Sequence, residues 1–364
     1  MDDIYLGDAI RKAFEEAMQH RGHANVLIAG RTGAGKSTLI NAVFQGNLAS
    51  TGHGRPITRG TREITKDGVP LTIFDTQGLE LGDFAATLAA LKALAAERRS
   101  DRDPRRHIHV AWVCVSEDLR RVEAAESGLV ETLADFMPVL AVVTKARADQ
   151  GFRAEVQRLL PRATNVVRVR SIGEELDDGH RLPPLGLSEL VQATAQLVPE
   201  AQQRAFIAAQ RADLALKRQK ARIIVGASAT AAMAVAAAPI PFADAAVLVP
   251  IQMGMLASIT VTYGLDLSEG FLGTVIASTV GGTAATVSGR AIVTGLLKLI
   301  PGVGALAGGT VAAATAGALT SALGEAYLAV LGALFEKHHG EQPTPDEVLA
   351  AMRSAVEPPV QDTE

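Results

Sequence analysis

Apolar and polar positions along the chain fall into two regimes. Through residues 23–200 short apolar runs alternate with charged stretches of helical spacing, whereas residues 223–335 are almost free of charge and rich in Ala, Gly, Val and Thr. In the first regime the apolar runs predict strands at 24–29, 61–66, 70–75, 108–115, 138–144 and 165–170. Helices are predicted between them at about 36–45, 83–98, 119–135, 151–160 and 187–198. Strands alternating with helices imply an α/β fold: a mostly parallel six-stranded sheet with helices on both faces, and one early antiparallel hairpin turning through Asp67-Gly68. Ligands of such sheets bind beyond the carboxyl ends of the strands, so the chemistry is expected in the loops there.

The second regime predicts an all-α domain. Uncharged stretches at 223–243, 245–265, 270–289 and 299–324 each approach or exceed the roughly 18–20 residues that a bilayer-spanning helix needs. Pro239-Ile240-Pro241 and Pro301-Gly302 predict helix breaks, hence hairpins. Asp244 reads as a helix N-cap. Small residues at Gly281, Gly282, Gly304, Gly308, Gly309 and Gly317 suit close helix packing, in a membrane or in a soluble bundle. The basic run from Lys217 to Arg222 just ahead fits the cytoplasmic edge of a membrane, which tips the reading of 223–335 toward membrane association.

Five segments are therefore expected. They are an amphipathic helix at 1–22 (Ile4, Ala9, Ile10, Phe14 and Met18 on one side), the α/β domain at 23–200, a basic helical connector at 201–222, the hydrophobic helical domain at 223–335, and a polar tail at 336–364. In the tail, Thr344-Pro345-Asp346-Glu347 is a capping box that opens a short helix to about Val356.

Composition narrows the picture. A length of 364 residues fits two or three domains, and a net charge of −4 argues for no polyanionic partner. The arginines between 98 and 106 are interleaved with Asp101 and Asp103 and lack aromatic neighbours, so they read as a solvated loop and nucleic acid is not an expected partner. The single cysteine, Cys114, lies in an apolar run and reads as a buried thiol; no disulfide within the chain is possible, which fits a reducing cytosol. Residues 1–21 carry charges throughout and do not read as a signal peptide.

The candidate chemistry starts at Gly30-Arg31-Thr32-Gly33-Ala34-Gly35-Lys36-Ser37, the G-x-x-x-x-G-K-S pattern, set between an apolar strand and the helical run from Thr38 to Phe44. Three glycines let the backbone wrap an anion with its N–H groups turned inward, and the following helix adds its positive end. Lys36 is expected to reach the β- and γ-phosphate oxygens, and the Ser37 hydroxyl to ligate Mg²⁺. Asp75-Thr76-Gln77-Gly78 forms a D-x-x-G in which Asp75 makes a second contact to the Mg²⁺ shell and the Gly78 N–H meets the γ-phosphate. The polar loop 50–64 between them suits a switch segment, with Thr58 completing the Mg²⁺ shell and Thr61 as the alternative. Lys36, Thr58 and Gly78 form the catalytic set.

These residues, with Ala111-Trp112-Val113-Cys114-Val115-Ser116 and Arg121-Val122-Glu123, resemble the Era and TrmE-type GTPases of the translation-factor-related class. The resemblance implies a Ras-like G domain over 23–200 that binds GTP and GDP with Mg²⁺ and hydrolyses GTP. It also implies a base-reading motif of Asn or Thr, Lys, any residue, Asp. Thr144 and Lys145 fit that motif, and Arg147, in the acidic position, cannot accept a hydrogen bond. Asp149, two residues on, is the alternative acid, and Ser171 can supply a backbone contact to the base. Guanine is the expected base and ATP the alternative. Leu79 stands where many such domains place a water-orienting Gln, so turnover is expected to be slow unless Gln77, backbone-held water, or Arg31 or Arg55, within the chain or across a homodimer, supplies the group.

The later segment, from Pro239 through Pro301-Gly302-Val303-Gly304 to Tyr327, resembles the hydrophobic YcjF-like domain of unknown function that is fused to such GTPases and taken to be membrane-associated. Together the two resemblances imply a cytoplasmic GTPase switch coupled to a helical domain at the inner membrane. The rival readings are a nucleotide-gated assembly protein with little hydrolysis, and an ATP-binding P-loop protein.

Overall fold

The apolar run at residues 24–30 is buried at every position, the signature of a parallel strand covered on both faces. In the computed structural model it is strand β1 (Ala24–Gly30), at the centre of the sheet. The structure describes residues 12, 15–17, 20–46, 48–51, 53–58, 60–76, 84–237, 244–265 and 309–356. These divide into two compact units, Arg21–Asp213 and Met1–His20 with Leu214–Glu364.

In Arg21–Asp213 the further strands are β2 (His53–Thr58), β3 (Thr61–Thr65), β4 (Leu71–Thr76), β5 (Val110–Ser116), β6 (Val139–Thr144) and β7 (Asn165–Arg168). Their order is β2-β3-β4-β1-β5-β6-β7. The five strands from β4 to β7 run parallel, and β2 and β3 are antiparallel to their neighbours. The six expected strands are present and β2 is a seventh, formed within the segment read as a polar switch loop. It occupies the sheet edge, the position in which a strand tolerates a proline such as Pro56.

Among the described residues seven α-helices accompany the sheet: α1 (Lys36–Val43), α2 (Leu48–Thr51), α3 (Phe84–Ser100), α4 (Ala124–Leu133), α5 (Phe152–Leu159), α6 (Leu187–Leu197) and α7 (Glu200–Ala209). A two-stranded ribbon, β8 (Glu174–Glu175) with β9 (Arg181–Leu182), follows β7.

Alternation along the strands assigns the two cores. Leu27 and Ala29 share one face with Ala111, Val113, Ala141 and Val143, and pack with Leu91 of α3, Leu129 of α4 and Val156 of α5. On the other side Trp112 stacks on Phe44 with ring centroids 5.7 Å apart, Phe44 meets Phe206 edge-on at 6.0 Å, and the Trp112 indole N–H donates to Thr194 Oγ1 at 3.1 Å. The amides of Gln45 and Arg211 bond the carbonyls of Ala209 and Val43, so the chain through α7 and beyond is stitched to the end of α1. Residues 201–222, read as one basic connector, accordingly fall on two separate helices.

The other unit holds α8 (Leu214–Ala236), α9 (Asp244–Tyr263), α10 (Gly309–Lys337) and α11 (Pro345–Val356). Their shared core includes Val225, Met255, Leu256, Tyr263, Tyr327, Phe335 and Met352. Gly324 lets α10 approach α8, since a Cβ there would come within 2.6 Å of Val225. Lys217 is fully buried; its ammonium donates to the Tyr263 carbonyl at 2.8 Å and lies 5.6 Å from the Phe335 ring centre. Thr344 and Glu347 form the expected reciprocal cap of α11, with the Thr344 amide donating to Glu347 at 3.0 Å and the Glu347 amide donating to Thr344 Oγ1 at 3.3 Å. Among the described residues one helix, Ala313–Lys337, is long and apolar enough to cross a bilayer, and half of it is buried within the unit. The hairpins expected at Pro239–Pro241 and Pro301-Gly302, and Gly281, Gly282, Gly304 and Gly308, lie outside the described residues.

Candidate nucleotide site

The loop from β1 to α1 turns on three glycines at positive φ. At Gly30, with φ 146°, a Cβ would come within 2.8 Å of the Cys114 carbonyl oxygen on β5. Gly35, at φ 82°, caps α1 without a side-chain hydrogen bond. That leaves the first amides of the helix directed at the loop, a ready donor set for an anion.

Within the loop Thr32 and Gly33 are exposed, Ala34 is buried, and its amide donates to the Arg31 carbonyl at 3.2 Å. Ser37 and Thr38 lie exposed on the first turn of α1. Lys36 is only 9% exposed, and its ammonium donates to the carbonyls of Gly30 at 2.8 Å and Arg31 at 2.9 Å. The Arg31 side chain pairs with Glu123 at 2.5 Å, and Arg55 is exposed on the edge strand.

To one side of the loop lies the end of β4. Asp75 is the penultimate residue of that strand, in register with Ile28 of β1 and Arg62 of β3. Burial raises the pKa of its carboxyl, opposed by the positive charges of Lys36 and Arg62. Thr58, expected in the loop proper, is instead the last residue of β2 and pairs with Thr61 across a register shift. Thr58 Oγ1, Thr61 Oγ1, Asp75 Oδ1 and Thr76 Oγ1 are all buried without a hydrogen-bond partner among the described residues. Orphaned oxygens of this kind are what a hard cation takes as ligands, so the donor chemistry around Ser37, Thr58 and Asp75 fits Mg²⁺. Gly78 lies outside the described residues, as do Gln77 and Leu79.

To the other side a cleft of about 280 Å³ opens, lined by Gly35 and Thr38, by Thr144 and Lys145 after β6, and by Ser171 beyond β7. The buried Thr144 hydroxyl donates to the Ala34 carbonyl at 2.7 Å, tying the end of β6 to the loop. Lys145 adopts φ 55° and its ammonium lies 3.3 Å from Asp118. Asp149 is not among the cleft residues. Its carboxylate accepts the Arg153 amide at 2.8 Å and lies 3.4 Å from Arg168, because the unpaired amides that open α5 are the nearest donors. In this structure its side chain is engaged at the start of α5 and does not line the cleft.

Two acids go unnoticed in the sequence. Glu117, just past β5, is buried; burial alone would raise its carboxyl, but hydrogen bonds from Arg168 and from the Arg147 amide, 2.7 Å away, hold it below the usual range. Glu174, on the ribbon, lines the cleft and pairs with Arg147. The legible signal for Glu174 is Arg147 itself, since a cation in an acid's position calls for a counter-charge nearby.

Comparison with known proteins adds the following. Residues 25–145 match the family described as 50S ribosome-binding GTPase, and residues 200–357 match a domain of unknown function, DUF697. Magnetosome membrane protein 22 of Magnetospirillum gryphiswaldense is 38% identical over 98 residues, 27% of this chain and 50% of that protein. The tRNA modification GTPase MnmE of Ruegeria pomeroyi is 31% identical over 172 residues, 46% of this chain and 35% of that protein. The chain thus spans half or less of the length of these relatives. Among solved structures, the G domain of the T. maritima FeoB iron transporter aligns at 17% identity with a TM-score of 0.32, covering 48% of this chain and 98% of that one. Toc33 from Arabidopsis thaliana with Mg²⁺ and GMPPNP aligns at 18% identity and 0.32, covering 55% and 91%.

Proposed function

We propose that this chain, which joins a P-loop GTPase domain to a DUF697 domain, is a Mg²⁺-dependent GTP-hydrolysing switch whose helical unit works at a membrane. The observation that carries the reading is the placement of Lys36 on a loop flanked by two features of opposite kind. One is a cleft large enough for a base, and the other is a set of orphaned oxygens at the end of β4.

In this reading the triphosphate lies along the loop amides. Lys36 turns from the Gly30 and Arg31 carbonyls to the phosphate oxygens, exchanging neutral acceptors for anionic ones. Thr144 keeps the loop aligned with the base cleft through its bond to Ala34. Ser37, Thr58 and Asp75 hold Mg²⁺, which when bound neutralises charge on the β- and γ-phosphates. Gly78 supplies an amide to the γ-phosphate. Leu79 offers no group to orient water, so turnover is slow. The membrane part of the reading is supported by the apolar helix Ala313–Lys337 and by the likeness to a magnetosome membrane protein.

Equilibrium dialysis of the full chain tests the nucleotide part: GTP is retained, EDTA weakens retention, ATP does not compete, and Lys36→Ala lowers affinity by about 100-fold or more through the lost charged contacts. No uptake of any purine nucleotide ends the reading. Flotation with vesicles of phosphatidylglycerol and phosphatidylethanolamine tests the membrane part. A chain that stays in the aqueous fraction in both GDP and GTP-analogue states removes that part alone.

A further inference from the structure

The base-reading position of this chain presents a contradiction. Arg147 stands where an acid would accept from guanine, and Asp149, the nearest acid in sequence, accepts the Arg153 amide in the first turn of α5. The cleft nevertheless contains acids. Asp118 and Glu174 both line it.

Glu174 is the better placed of the two. Its residue begins β8, pinned by the ribbon pairing to Leu182. Its Oε2 accepts from Arg147 Nε at 2.8 Å, and the second carboxylate oxygen faces the same guanidinium in a two-point contact. The Arg147 backbone is anchored in turn by Glu117 at 2.7 Å. Arg170 donates to the Ala146 carbonyl at 2.8 Å and to the Pro183 carbonyl at 2.7 Å, which locks the loop after β6 to the ribbon. Asp118, by contrast, is exposed and held by Lys145 at 3.3 Å. Beside Glu174 stands Ile172, 63% exposed, one of a handful of large apolar side chains left open on the described surface and itself a wall of the cleft. An exposed apolar face beside a positioned donor–acceptor pair is what a purine ring requires.

We propose that Arg147 and Glu174 read the base: on binding, the Glu174 carboxylate exchanges its two-point contact with Arg147 for guanine N1–H and the 2-amino group, and the released guanidinium donates to the base oxygen O6. The pair presents donor and acceptor in the sense complementary to guanine, whose edge runs acceptor, donor, donor; adenine, with an amino group beside an unprotonated ring nitrogen, is mismatched to it. Ile172 covers one face of the ring. This inference rests on the guanine-nucleotide reading above and names the residues that give it its specificity.

The test measures dissociation constants of the full-length chain for GDP, inosine diphosphate, xanthosine diphosphate and ADP. The native chain is expected to rank GDP first, with inosine diphosphate, which lacks the 2-amino group, weaker by about 10-fold. Glu174→Gln loses about 10- to 100-fold for GDP and gains for xanthosine diphosphate, because the glutamine amide donates to the 2-oxo group. Arg147→Ala weakens GDP without creating that xanthine preference, and Asp149→Ala leaves the ranking unchanged. If the native chain binds GDP tightly and Glu174→Gln keeps its ranking, or if Asp118→Asn produces the xanthine switch instead, the inference fails and the guanine reading survives. If the native chain prefers ADP, or binds none of the four, both fail together.

Discussion

A histidine outside the site illustrates how much burial decides at the scale of one residue. His23 bonds Thr72 Oγ1 through Nε2 at 2.7 Å, and its pKa is lowered to about 4 by burial first and then by the charges of His109, Arg21 and Arg105. The unfolded chain takes up this proton near 6.5 and the native chain only near 4, so between those values the unfolded state binds more protons. Stability contributed by neutral His23 is thus complete above about pH 6.5 and is lost as the pH falls toward 4. His23→Gln, which keeps a polar group for Thr72 but does not titrate, is expected to flatten that acid limb; urea midpoints at neutral pH and near pH 5 measure it. Lys36 and Cys114 show the same dependence on surroundings. The apolar run already marks Cys114 as a buried thiol, and its burial pushes it up to about 12; that Lys36 spans the loop on its own carbonyls is visible only in the structure.

Elements are where the hydrophobic pattern reads most clearly. The central parallel strands are buried on both faces, so their apolar runs need no long-range information to identify, and the glycine-lysine turn marks where α1 must start. Strand β2 escaped because its residues, with Gly54 and Pro56, carry turn chemistry; what makes them a strand is the antiparallel partner β3, not their own propensity. The coupling between elements is testable through Thr144. Thr144→Val keeps the shape but removes the hydroxyl that bonds Ala34 across 110 residues of chain. A buried acceptor then goes unpaired, costing about 1–3 kcal/mol in denaturant unfolding and weakening nucleotide affinity more than the same change on an exposed strand end.

At the scale of the whole molecule the chain is two compact units with different cores, one layered and one helical. A nucleotide held by Arg21–Asp213 stabilises only the state that binds it, so calorimetry with GDP and Mg²⁺ is expected to raise the transition of that unit, by about 2.7 kcal/mol at a hundredfold excess over Kd. Lys36→Ala is expected to abolish that shift without lowering the nucleotide-free transition by a similar amount, since Lys36 bonds only two carbonyls of its own loop.

Local pattern alone determined the alternation of strands and helices, the glycine-lysine loop between β1 and α1, the Asp75 motif and the change of regime into an uncharged helical segment. Each of these depends on periodicity or on residues adjacent in the chain. Which acid lines the cleft was decided only by tertiary structure. Asp149 and Glu174 are both carboxylates a short way beyond a strand, and nothing in their neighbours distinguishes them. The fold assigns one to the amides of α5 and the other to Arg147 beside the cleft, because a carboxylate goes to whichever donors the packed elements bring within reach.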